Sequence, residues 1–181
     1  FERGEHISFA NCGLPYHIGG AIADRERLIV QTPEATRKTF RIDVRTRTDV
    51  FKIDPAKKIT FTRELATGAE REEPSDLLVL SPGAEPHRPP LPGIHSSKIM
   101  TLRNLADMDA IKKALETLRP ERALVVGGGY IGLEMTEALR EKQIPVTLVE
   151  LTPQVMAPAD PEMAVPLHQE LSLHGVDLRL G

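Results

Sequence analysis

The segment from Ala123 to Glu150 constrains this chain more than any other. Ala123-Leu124-Val125-Val126 is a short apolar run with the composition of a buried strand. It leads directly into Gly127-Gly128-Gly129-Tyr130-Ile131-Gly132, and a helical pattern follows to about Lys142. Gln143-Ile144-Pro145 closes that helix, and Val146-Thr147-Leu148-Val149-Glu150 reads as the next strand. Strand, helix and strand within about 27 residues form a βαβ unit, the connection that parallel strands require.

A G-x-G-x-x-G turn carries little weight alone. Between a strand and a helix, with an acid ending the second strand, it points to a dinucleotide. Gly127 permits the tight turn, Gly129 lets the backbone approach a pyrophosphate, and Gly132 lets helix and strand pack closely. Tyr130 and Ile131 sit in the same turn, at a helix start whose N–H groups can meet phosphate. Glu150 lies 18 residues beyond Gly132 and can accept from both hydroxyls of an adenosine ribose. An acid there repels a 2′-phosphate, so the turn favours NADH over NADPH.

The rest of the composition excludes more than it assigns. The length of 181 residues suits one large domain or two small ones. A net charge of −3 argues against a basic nucleic-acid surface. No apolar run approaches the ~20 residues needed to span a bilayer, and no secretory pattern opens the chain. A single cysteine without a disulfide framework fits a reducing, cytoplasmic setting.

That cysteine, Cys12, lies in Ser8-Phe9-Ala10-Asn11-Cys12-Gly13-Leu14-Pro15-Tyr16-His17. A lone thiol has no internal disulfide partner, so redox work there needs an outside one. Ser8 and Asn11 are helix-capping types and Pro15 suits a first turn, which places Cys12 at or near a helix N-terminus. Backbone N–H groups there favour a thiolate. The alternative is a buried cysteine acting as a small hydrophobe, but the Ser, Asn, Gly and Pro around it suit a turn better than a packed stripe. His17 stands past the facing i+4 position and reads as a packing or surface histidine. His168 and His174 have no companions with metal-ligand spacing.

Elsewhere, Gly13 to about Ala23 reads as a short helix. The alternation from Arg41 to Val50 predicts a half-buried strand, on which Arg41, Arg45 and Arg47 look like a phosphate patch but on one face of a strand more readily meet solvent. Asp54 to Lys58 supplies a turn and Ile59 to Thr62 a returning strand. Asp76 to Leu80 reads as a strand buried on both faces, ending at Ser81-Pro82-Gly83-Ala84. The proline-rich stretch from His87 to Gly93 reads as a crossover between domains. Residues 105, 108, 111, 115 and 118 form a helical stripe. Asp160-Pro161 opens a further helix with apolar positions 163, 167 and 171, in which Pro166 implies a kink or a later start. Phe1-Glu2-Arg3 reads as the end of a strand and Val176 to Leu180 as a strand just entered, so both ends look like breaks inside a larger fold. Glu2 is then either an exposed N-terminal glutamate or a second ribose-binding acid.

Taken together these stretches resemble the pyridine nucleotide-disulfide oxidoreductases, in particular the coenzyme A disulfide reductase branch. The resemblance rests on Ser8 to Cys12, Phe1-Glu2-Arg3, Leu77 to Pro86, Thr101 to Asn104, Gly127 to Glu134, Pro153 to Met156 and Asp160 to Glu162. Ser-Pro at 81 and 82 departs from the family's Ala-Thr. The implied fold is α/β and three-layer: part of an FAD-binding Rossmann-like domain over 1–118, then the first part of an NAD-binding Rossmann domain over 119–181. A small antiparallel β-meander belongs to the first. The resemblance implies that NADH reduces FAD and that electrons pass to Cys12, which cycles through a mixed disulfide with coenzyme A. Ser8 and Asn11 would contact substrate; Glu2, Val50, Ser81, Gly83 and Arg103 would lie near FAD; Glu134 would approach the nicotinamide. The family works as a homodimer whose further domain supplies tyrosines. That domain, the first FAD strand and the later NAD strands are missing here, so this chain alone is expected to turn over little.

Two other readings compete with reduction of coenzyme A disulfide or a CoA-linked persulfide or polysulfide. One keeps the cofactors but takes Cys12 through a sulfenic acid, as an NADH peroxidase or oxidase would. The other is a non-enzymatic nucleotide-binding module.

Overall fold

The computed structural model describes residues 1–181. Its contacts divide the chain into two compact units, the first formed by residues 1–10 and 28–85 and the second by 11–27 and 86–181. These units are interleaved in sequence, and their limits differ from a boundary at 118/119. Helix α1 (Leu14–Gly19) belongs with the second unit because it contacts α3 (Leu105–Leu118) and α4 (Tyr130–Glu141).

In the first unit, β1 (Ser8–Phe9) pairs antiparallel with β2 (Ile29–Gln31). Thr32 then starts α2 (Pro33–Phe40) by accepting the Ala35 N–H at 3.1 Å, with Pro33 in the first turn where its missing N–H costs nothing. Strands β3 (Thr48–Asp54), β4 (Ile59–Glu64) and β5 (Glu70–Pro74) form the expected antiparallel meander. Thr60 and Thr62 of the central strand are buried, while Phe61 on the opposite face meets Phe51 at 6.3 Å between ring centroids. Asp54 Oδ1 accepts the Lys57 N–H and closes the hairpin turn.

Of two expected strands, one begins only at Thr48 and the other is absent. The alternating run from Arg41 is irregular until Thr48, because Arg41 and Arg47 both take left-handed φ (58° and 50°) and interrupt any ladder. Alternation records which side chains share a face; it does not supply hydrogen-bond partners. The second is Asp76 to Leu80, which is irregular, with Leu77 90% and Val79 85% exposed. A buried strand needs neighbours for its backbone groups, and neither sheet of this unit pairs with it.

In the second unit, β6 (Ala123–Val126), β7 (Val146–Glu150) and β8 (Asp177–Leu180) form a parallel sheet in that order. Leu139, Val146, Leu148, Val155 and Val176 make its core. Strand β6 packs on one face only, through the half-buried Ala123 and Val125, since Leu124 and Val126 are exposed. Helix α3 begins with a capping box: Asn104 accepts the Asp107 N–H at 2.9 Å, and Asp107 Oδ2 accepts from Asn104 and Arg103 N–H groups. Leu105, Met108 and Ile111 of the predicted stripe are buried, while Leu118 is exposed.

Helix α1 is shorter than its expected span. A 3-10 turn over Asn11–Gly13 precedes it, and Gly20 at φ 105° ends it. A Cβ on Gly19 would sit 3.2 Å from the Ala138 Cα, so small residues set the approach of α1 to α4. The last helix, α5 (Pro161–Leu173), starts at Pro161 and runs on through Pro166, which excludes a later start. No helix is long and apolar enough to cross a membrane.

Candidate functional site

The glycine turn joins β6 to α4, and each of its glycines has a different physical reason. Gly127 lies at φ 106°, which disfavours any side chain, and its N–H donates to Val149 O at 2.8 Å. A Cβ on Gly132 would fall 1.9 Å from the Gly127 carbonyl oxygen, an impossible contact. A Cβ on Gly128 would lie 2.9 Å from Val155 Cγ1 and 3.3 Å from Glu150 Cβ. Gly129 is the exception: a Cβ there would meet nothing within 4 Å. Gly129 also caps α4 without any side-chain hydrogen bond. Open space therefore stands before a helix start whose N–H groups have no side-chain cap, the arrangement a pyrophosphate requires. Tyr130 and Ile131 are exposed beside it.

Glu150 closes the site from the end of β7. Its Oε2 accepts the Gly128 N–H at 2.7 Å, and its Oε1 accepts the Thr152 N–H at 2.8 Å and the Thr152 hydroxyl at 2.9 Å. The Gly128 N–H and then the Thr152 N–H hold this carboxyl below the usual carboxylate range, against the opposing pull of burial. The loop after β7 grips the turn a second time, through Met156 N–H on Gly128 O at 2.8 Å. His168 of α5 accepts the Val155 N–H at 3.2 Å, which gives that histidine a structural task. Gly128, Thr152 and Val155 thus build the site, although only the glycine lay within the motif.

Cys12 is exposed on the 3-10 turn ahead of α1, as is Asn11. Neither Ser8 nor Asn11 caps α1. Ser8 lies in β1 opposite Gln31, and the N-cap is Gly13, which has no side-chain hydrogen bond. Helix α1 carries Tyr16, whose phenol is raised above its ordinary value first by the charge of Glu134, then by burial, Glu137 and Cys12. Tyr16 and Glu134 lie on α1 and α4, two helices in contact within the second unit. His17 is buried with both ring nitrogens engaged, Nδ1 with Ile22 O at 2.7 Å and Nε2 with Lys112 Nζ at 2.9 Å. A histidine donating to a carbonyl and accepting from an ammonium is a tether, which bears out its reading as a packing residue. Arg25 forks onto Asp109 with contacts of 2.9 to 3.1 Å, so α3 holds α1 at His17 and the segment after it at Arg25. No spacing in the sequence marks Lys112 or Asp109 for these roles.

The residues assigned to FAD fall in both units. Glu2 exchanges backbone hydrogen bonds with Arg45 and Thr48 without forming a strand, and its Oε1 accepts the Gly4 N–H at 2.6 Å. Val50 is on β3, and Ser81 and Gly83 lie in an exposed irregular segment of the first unit. Arg103 belongs to the second unit, just ahead of α3. No group of three or more His, Cys, Asp or Glu side chains could hold a metal ion.

Comparison with known proteins is consistent over the entire length. The chain is 35% identical to the coenzyme A disulfide reductase of Staphylococcus aureus over 180 residues, 99% of this chain and 40% of that protein. The crystal structure of reduced Bacillus anthracis CoADR-RHD superposes with a TM-score of 0.96 at 48% identity, covering 99% of this chain and 32% of that one. The water-forming NADH oxidase of Lactobacillus brevis, bound to NADH, superposes at 0.90 with 34% identity, covering 99% and 40%. The chain thus spans about two fifths of the curated relative. The family model for pyridine nucleotide-disulphide oxidoreductases matches residues 1–181, and the chain belongs to that family.

Proposed function

We propose that the full-length protein carrying this chain is an FAD-dependent oxidoreductase. It passes electrons from NADH to Cys12 and on to coenzyme A disulfide or a CoA-linked persulfide or polysulfide. The observation that supports this most is the exposed Cys12 on the turn before α1, in the same compact unit as the Gly127–Glu150 turn. Bound flavin and NADH would supply the hydride and electron transfers. In this reading 1–118 serves FAD, 119–181 serves NADH, and the working form is a homodimer.

The residues divide the work. Gly129 and the start of α4 receive the pyrophosphate, and Glu150 accepts from the adenosine ribose. Glu134 approaches the nicotinamide, while Glu2, Val50, Ser81, Gly83 and Arg103 serve the flavin. Ser8 and Asn11 contact substrate. The Cys12 thiolate attacks one sulfur of CoA–S–S–CoA, forming Cys12–S–S–CoA as one CoA thiolate leaves. Two electrons then cleave the mixed disulfide, and with a proton they return the Cys12 thiolate and the second CoA thiol. Trapping a Cys12–CoA adduct by mass spectrometry of the full-length protein tests this reading.

The likeness to the NADH oxidase favours one competitor, in which Cys12 is oxidised to a sulfenate. A peroxide-formed sulfenate at Cys12, with no CoA adduct under any condition, would replace the first reading with that one.

A further inference from the structure

The Glu150 carboxylate is gripped more completely than a simple ribose acceptor needs to be. A carboxylate offers about four acceptor positions. Three are engaged, by the Gly128 N–H on Oε2 and by the Thr152 N–H and hydroxyl on Oε1. A ribose diol presents two O–H donors, so one more acceptor is needed than stands open. The Thr152 hydroxyl resolves this shortfall. It lies 2.7 Å from Gln154 O as well as 2.9 Å from Glu150 Oε1, and its one proton serves either acceptor. When the diol claims Oε1, the hydroxyl turns to Gln154 and strands no donor. The two backbone N–H groups keep the carboxylate in place throughout.

We propose that Thr152 is a positioning residue for nucleotide choice: its hydroxyl preorganises the Glu150 carboxylate for a ribose diol, then yields its place to it. This deepens the reading that an NAD ribose sits at Glu150 and rests on it. A free glutamate side chain must be immobilised when ligand binds, and an acid already held does not bear that loss. A 2′-phosphate leaves only the 3′ O–H to donate and meets the same charge, so the nucleotide that carries it gains less from a held carboxylate. Thr152 therefore sharpens discrimination between the two nucleotides instead of strengthening both.

The test is calorimetric titration of the full-length protein with NAD and NADP, oxidised nucleotides that bind without turnover. Thr152→Val keeps the shape and removes the hydroxyl. It is expected to weaken NAD about three- to tenfold and leave NADP within about twofold, narrowing the NADP-to-NAD ratio of Kd. Thr152→Ser, which restores the hydroxyl, is expected to restore both values. Unchanged NAD binding in Thr152→Val, with NAD weakened in Glu150→Gln, would overturn the role of Thr152 and leave the site itself standing. Weakening of NADP at least as large as that of NAD would also overturn it, because the hydroxyl would then be serving a phosphate. If Glu150→Gln changes neither nucleotide, the reading of the ribose site falls, and the role of Thr152 with it.

Discussion

The glycine turn and the Cys12 turn lie in the same compact unit but are built in opposite ways. The first is specified by close range: Gly127 φ, the Gly132 contact and the grip on Glu150 all arise within Ala123–Met156. The second is held from a distance, through His17 on Lys112 and Arg25 on Asp109, 95 and 84 residues away. Its chemical group, the Cys12 thiol, stands exposed and engages no held partner of the kind that fixes Glu150. A glycine turn of this kind can therefore be recognised from its own segment, whereas the setting of Cys12 depends on the whole fold.

The largest expected effect separates the glycines that shape the fold from the one that admits ligand. Gly132→Ala puts a methyl group 1.9 Å from a backbone oxygen and is expected to destabilise the protein by at least about 3 kcal/mol in denaturant titration. Gly129→Ala meets open space, so stability should stay within about 0.5 kcal/mol while NAD affinity falls tenfold or more. Equal stability losses in the two variants would erase the distinction between them.

The next effect probes the distant tethers. Lys112→Met leaves the buried His17 Nε2 without its donor and should cost about 1–3 kcal/mol of stability. It should also slow alkylation of Cys12 or make it heterogeneous, while NAD affinity holds. If NAD affinity falls as far as Cys12 reactivity changes, the two sites are not built independently.

The smallest effect is one of pH. The folded pKa of Glu150 is lowered, so its contribution to stability is full above the ordinary carboxylate range and is lost only as pH falls through the lower folded value. Wild-type NAD binding should accordingly persist below about pH 4.3, the ordinary glutamate value. Thr152→Val should move the acid limb upward, read from titrations at successive pH values.

The same contrast explains what was legible in the sequence. The βαβ unit, the meander and the apolar stripe of α3 each rest on local patterns, and each is present. The runs at 41–47 and 76–80 show the local patterns of strands but find no ladder, because pairing is a long-range property. Capping by Ser8 failed for a related reason: its backbone is drawn into β1 by Gln31. Gly127, Gly129 and Gly132 were readable from spacing, whereas Thr152 and Lys112 act through side-chain directions that no spacing encodes.

The central claim is that electrons from NADH reach the acceptor through Cys12. It is tested most directly by NADH-driven reduction of coenzyme A disulfide in the full-length protein with Cys12→Ser, at flavin content matched to wild type. Loss of at least a hundredfold in rate, with NAD affinity unchanged, is the predicted result. Retention of wild-type rate by the serine variant would contradict the account.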